Sequence, residues 1–153
     1  MPLPKLNRGN LPAYTDPVPN LSADTPRKFG TMTPAAMLSH LTHTLEVSCG
    51  AAEDPDHSNW FTRGPGRVLA FHWFTRWPGG VIKQPDSWSP PPSEEFEGER
   101  QKFLAALDRF CDALEATPDR LTVSPLLGPR SIAYWSHLHS VHFAHHYRQF
   151  GLR

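Results

Sequence analysis

Five of the nine histidines in this 153-residue chain fall within one stretch, Tyr134 to Phe150, as His137, His139, His142, His145 and His146. At about 100° per residue, a helix over this stretch presents Trp135, Leu138, His139, His142, His146 and Gln149 on one face, with His137 well away from them. Imidazole nitrogen is a good donor to zinc, nickel, iron or copper. Two histidines one helical turn apart can aim ring nitrogens at a single point about 2 Å from each. His142 and His146 stand in that i,i+4 relation. His139 with His142, or His142 with His145, could do the same at i,i+3, less commonly. Two imidazoles hold an ion weakly, so a third ligand should come from another element. His40 is the best placed: its own helix turns it inward with Met37, Thr44 and Val47, while His43 lies further round, at the boundary. Burying three imidazoles without a common partner would be costly. His72 is read as structural, and His57 and His137 as exposed.

The elements that must position these residues follow from caps and periodicity. Residues 1 to 30 carry Pro2, Pro4, Pro12, Pro17, Pro19 and Pro26 and show no helical or strand period, so they read as an extended arm or irregular wrap ahead of a helical domain, 31–153. Thr33 suits an N-cap, Pro34 the first helical position and Gly50 the far end. Between them Met37, Leu38, Leu41, Leu45 and Val47 form an apolar face. The apolar run from Arg67 to Trp77 is read as a short buried helix. A proline-rich loop from Pro78 to Pro92 follows, of a length that often serves as a lid or binding segment. The next helix begins near Ser93, with Glu94, Glu95, Glu97 and Glu99 favourable at its start. Phe96, Phe103, Leu107, Phe110 and Leu114 form its core face, and Thr117-Pro118-Asp119 ends it. The last helix runs from about Ser131 to Phe150, with Gly151 as its stop. The expected fold class is all-α, an antiparallel helix bundle with long proline-rich connections.

Bulk properties narrow the partners. Net charge is +0, with 15 Lys+Arg against 15 Asp+Glu, which argues against nucleic acid or an anionic membrane surface. No apolar run approaches the roughly 20 residues of a membrane span, and the start lacks the apolar core of a signal peptide. The 2 cysteines, Cys49 and Cys111, fall in predicted helices far apart, which fits free thiols in a cytoplasmic protein.

Two motifs give the chain a resemblance to a known family. Phe29-Gly30-Thr31-Met32-Thr33-Pro34 followed by Met37-Leu38-Ser39-His40, and His142-Phe143-Ala144-His145-His146-Tyr147-Arg148-Gln149-Phe150-Gly151, are similar to motifs of the DinB/YfiT-like metal-dependent superfamily, in its branch of small bacterial domains. The resemblance covers roughly residues 28 to 50 and 93 to 151. It implies that His142 and His146, rather than His139 or His145, bind the ion with His40, and that Gln149 follows the second ligand by three residues. Trp135 also fits that branch. The chain departs from the pattern in two places. The family bundle begins with a full helix, whereas this chain offers only the proline-rich arm. That first helix is therefore expected to be shortened or missing, its place taken by Arg67–Trp77 or by a second subunit over an exposed apolar stripe, hence a homodimer. Where the branch often has His-Pro before the last helix, this chain has Ser124-Pro125.

Three neutral histidines leave positions open for water or substrate, as in catalytic rather than structural sites. The expected cofactor is one divalent ion, zinc, nickel or iron. His145, Gln149 and His139 are the expected supporting groups around it. A bound ion would lower the pKa of a water or thiol. Relatives that the resemblance implies include thiol-dependent S-transferases and isomerases, so the expected function is metal-dependent chemistry on a small-molecule substrate, with Trp73, Trp77 and Trp88 walling an apolar pocket. The alternative is a non-catalytic metal- or small-molecule-binding, stress-related domain. An acid or base near the ion would favour the enzyme. Glu46 is a poor candidate, about 120° around its helix from His40, and no Ser-His-Asp triad, phosphate loop or Cys-pair motif is present.

Overall fold

The computed structural model describes residues 3–73, 77 and 90–153, with the Trp73 side chain left aside. Most of the expected loop from Pro78 to Pro92, Trp88 included, lies outside the described residues. The described chain is mostly helical, with one small sheet. The arm is a chain of single turns, Arg8–Asn10, α1 (Pro12–Thr15) and Val18–Asn20. There follow α2 (Pro34–Ser48), α3 (Trp60–Arg63), α4 (Pro65–Val68) and a π turn at Leu69–Trp73. The long α5 (Phe96–Ala116), a hairpin of β1 (Leu121–Ser124) and β2 (Gly128–Ser131), and α6 (Ile132–Gln149) complete the fold. Among the described residues no helix is long and apolar enough to cross a membrane.

The helix ends obey their local chemistry. Thr33 accepts the amide of Ala36 at 3.1 Å and Pro34 opens α2. At its far end Gly50 has φ +79, and Gly50 and Ala51 donate to the carbonyls of Val47 and Glu46. Gly151 repeats that arrangement after α6: with φ +70, it and Leu152 donate to Arg148 and Tyr147. Both ends therefore stop where the sequence indicates. At the start of α5 the buried Glu99 accepts the amides of Ser93 and Glu94, each at 2.9 Å, tying the chain ahead of the helix back onto its first turn. The expected buried helix over Arg67–Trp77 is seen in part, as α4 and the π turn, but Val68 and Leu69 face solvent and Phe71 is the buried residue of the described stretch; Phe74 to Arg76 lie outside the described residues.

Two elements differ from expectation. The first is the arm: it forms the expected irregular wrap, as short turns, but it is packed into the core. Leu3 and Leu6 donate backbone bonds to the carbonyls of Ser140 and Ser136, both at 3.2 Å, so the arm runs antiparallel along α6. Ser136 Oγ returns a bond to Leu6 O at 2.6 Å, and the Tyr147 hydroxyl donates to the carbonyl of Tyr14. Leu6 and Tyr14 are fully buried, and Leu3, Val18 and Leu21 nearly so, in one core with α2, α5 and α6. Proline fixes φ at several points of this segment, so a wrap of short turns can present its leucines inward without forming a regular helix. The arm thus covers part of α6. Because Leu6 is packed on all sides, Leu6→Ala is expected to destabilise the protein by about 2–5 kcal/mol in urea unfolding; a loss below roughly 0.5 kcal/mol would mean that the arm is not part of the core.

The second difference is the hairpin, pairing Leu121 with Ser131 through Ser124 with Gly128. Its three-residue loop closes on Gly128, whose φ of +73 fits the left-handed position that such loops require. Thr122 and Ser124 face inward, whereas Leu121 and Val123 face solvent. The inward polarity has a use. Trp135 Nε1 donates to Thr122 Oγ1 at 2.7 Å, and Thr122 Oγ1 donates to Ser48 O at 3.0 Å, tying α6, β1 and the end of α2 together.

Candidate metal centre

His40 comes from the second turn of α2, and His142 and His146 from successive turns of α6. One ring nitrogen from each lies within 4.8 Å of the others. His142 Nε2 is 2.9 Å from His40 Nε2 and 3.1 Å from His146 Nε2. Three nitrogens about 2.05 Å from one ion stand roughly 2.9 Å apart at right angles and roughly 3.3 Å apart in a tetrahedron. Both observed separations fall in that interval. His40 and His146 are buried and His142 partly so.

The protonation of the cluster follows from its surroundings. Gln149 Nε2 donates to the carbonyl of Phe29 at 3.0 Å, which turns Gln149 Oε1 toward His146 Nδ1 at 2.9 Å. A carbonyl oxygen can only accept, so His146 carries its proton on Nδ1 and directs the Nε2 lone pair at His142. A proton on His142 Nε2 could serve one neighbour well but not both. A cation between the three rings satisfies all of them, so the donor set fits a divalent ion. Burial, and then the neighbouring rings of His146 and His40, hold His142 well below the ordinary histidine pKa. His146 is lowered likewise by burial and by His40, against the bond to Gln149. Neutral imidazole is the form that ligates a metal.

The other expected residues separate. Gln149 touches a ligand directly and fixes its tautomer. His145 does not join the cluster: its ring lies against Phe29 and Trp77, at 5.3 and 5.8 Å between centroids, and hydrogen-bonds the main chain of Trp77. His139 is buried and donates from Nε2 to Ser48 Oγ at 2.9 Å, since the Ser48 hydroxyl proton is engaged by Leu45 O. Burial lowers the His139 pKa to about 3. His72 stacks on His137, and His137 is half-buried rather than exposed, bonding Phe71 O at 3.0 Å. His57 is exposed, as expected.

The two motifs of the sequence meet here. Gly30, at φ +74, passes so close to Gln149 that a Cβ would stand 2.5 Å from its Nε2. A residue ahead of α2 therefore sets the amide that sets a ligand on α6. Gln149→Ala should weaken metal binding roughly 10–100-fold while leaving the stoichiometry unchanged, as measured by competition with a chromogenic chelator; unaltered affinity would reduce Gln149 to packing.

A cavity of about 130 Å³ adjoins the cluster and is walled by His40 and His142 but not by His146. Val47, Phe71, Trp77, Leu126, Trp135 and Leu138 are among its apolar lining, so of the three expected tryptophans Trp77 is seen on the wall, joined by Trp135. Ser124 and Pro125, which stand where the resembling branch often has His-Pro, line it as well. One functional group escaped the sequence reading. Asp54, on the loop after α2, also lines the cavity, and both its oxygens lie 2.9 Å from His43 Nε2.

Fold and site together define a mostly helical protein with a buried three-histidine cluster, suited to a divalent ion, beside an apolar cavity. Comparison with protein-family models, with curated proteins and with solved structures finds no match to this chain.

Proposed function

We propose that this is a DinB/YfiT-like metal-dependent protein of the cytoplasm, in which His40, His142 and His146 hold one zinc, nickel or iron ion. The observation that carries the reading is the convergence of three imidazole nitrogens, from helices about 100 residues apart in sequence, at separations suited to a common ion. The ion, once bound, would supply Lewis acidity that holds a thiol or water in its deprotonated form. The chain's own residues do the rest. Gln149 keeps the His146 lone pair aimed at the centre. The apolar wall limits water around the donor atoms, and Asp54 with His43 provides a group on the cavity wall able to accept a proton.

That carboxylate favours an enzyme, acting as a metal-dependent thiol S-transferase on a small molecule, over a non-catalytic binding domain. The test is conjugation of a low-molecular-weight thiol to chlorodinitrobenzene by the purified protein. The rate should fall to background with a chelator and return when zinc, nickel or iron is restored. A rate indifferent to the chelator would remove the metal from the reaction.

A further inference from the structure

We infer that the cavity beside the histidine cluster is a pocket for a small apolar molecule, about the size of a benzene ring, bearing one hydrogen-bond-donating or cationic group that Asp54 receives. The inference deepens the proposed function, on which it rests for the pocket's purpose, by naming the class of ligand.

Size sets the first limit. The cavity measures about 130 Å³, and an apolar protein cavity of about 150 Å³ admits benzene. Its walls are mostly aliphatic and aromatic, which favours a hydrocarbon body over a sugar or a peptide.

Polarity sets the second. Thr44 faces the cavity, but its hydroxyl proton is engaged by Leu41 O at 2.9 Å, so toward a ligand it can only accept. The Asp54 side chain is 9% exposed, and its described hydrogen bonds come from the single N–H of His43, shared between both oxygens. A carboxylate has about four lone-pair sites, so one shared donor leaves acceptor capacity unused. An acceptor of this kind at an apolar wall attracts an ammonium, hydroxyl or thiol and repels an anion, more strongly than it would in water. Among the described residues no lysine or arginine lines the cavity, so in the metal-free protein none of them offsets the carboxylate in favour of an anionic ligand.

The loop that carries Asp54 begins at the Gly50 turn and returns the chain over α2, where His43 lies one turn beyond His40. The same helix thus supplies both a candidate metal ligand and the anchor of the carboxylate.

Four probes of matched size test this: toluene, benzyl alcohol, benzylamine and benzoate, titrated into the full chain freed of metal by chelation, with the fluorescence of Trp77 and Trp135 on the cavity wall as readout. Toluene is expected to bind, benzylamine at least tenfold more tightly than benzoate, and benzyl alcohol between them. Asp54→Asn should abolish the advantage of benzylamine over toluene and leave toluene binding unchanged. Benzoate binding as well as benzylamine in the unmodified protein would overturn the inference whether or not the variant folds, as would an unchanged order in the folded variant or the failure of every probe to bind. Metal content of the same preparation before chelation separates the two readings. One ion per chain with no probe binding refutes the pocket alone, and probe binding with no retained metal refutes the centre alone.

Discussion

Purified with zinc and dialysed, the protein should carry about one ion per chain, and His142→Ala or His146→Ala less than a tenth of that, by elemental analysis. The expectation rests on the closeness of the donor set. His142 stands between the other two rings, at 2.9 and 3.1 Å, so its loss removes the nitrogen that both others face. Loss of His146 also strands Gln149, whose orientation by Phe29 O then serves nothing. His145→Ala is the internal control. Its ring lies against Phe29, Trp77 and the edge of His146 but offers no nitrogen to the donor set, so it should keep its full complement. Equal metal in all four proteins would end the case for the site.

In metal-free protein, stability is expected to be complete above about pH 6.5 and to fall continuously as the solution is acidified. His139 is one source. Burial lowers its pKa from 6.5 to about 3, so in the fold it stays neutral where the unfolded chain takes up a proton. Unfolding then binds a proton, and stability declines by about 1.4 kcal/mol per pH unit for each such group, until the folded histidine itself titrates. His142 and His146 are lowered in the same sense, by burial and by their neighbouring rings, and steepen the slope further. Urea unfolding at pH 7.5, 6, 5 and 4 measures it. His139→Gln, which keeps a donor for Ser48, should flatten the slope by about one proton's worth. Equal stability at pH 7.5 and pH 5 would contradict the burial of these rings.

What could be read in advance was what repeats or punctuates. Thr33-Pro34, Gly50 and Gly151 mark helix ends through local chemistry, and the structure ends the helices there. His142 and His146 share a face because a helix brings every fourth residue round, and His40 lies inward for the same reason. The arm was illegible because its order comes from elsewhere: Leu3 and Leu6 are placed by carbonyls of Ser140 and Ser136, more than a hundred residues away. The hairpin inverts the usual signal, turning Thr122 and Ser124 inward to serve Ser48 and Trp135 while Leu121 and Val123 face water. Asp54 belongs to a loop, whose path no periodicity encodes, and its place on the cavity wall appears only once that loop is folded.

The contact between His40 and His142 spans 102 residues of chain. An ion held there is a cross-link as well as a reagent. Closing a loop of about 100 residues in the unfolded chain removes entropy worth on the order of 4–5 kcal/mol in the chain-entropy account of disulfides. A metal clasp between α2 and α6 can act only once both helices exist. The same three imidazoles that could hold an ion would therefore also fasten two helices far apart in sequence, and removing the metal would loosen that fastening.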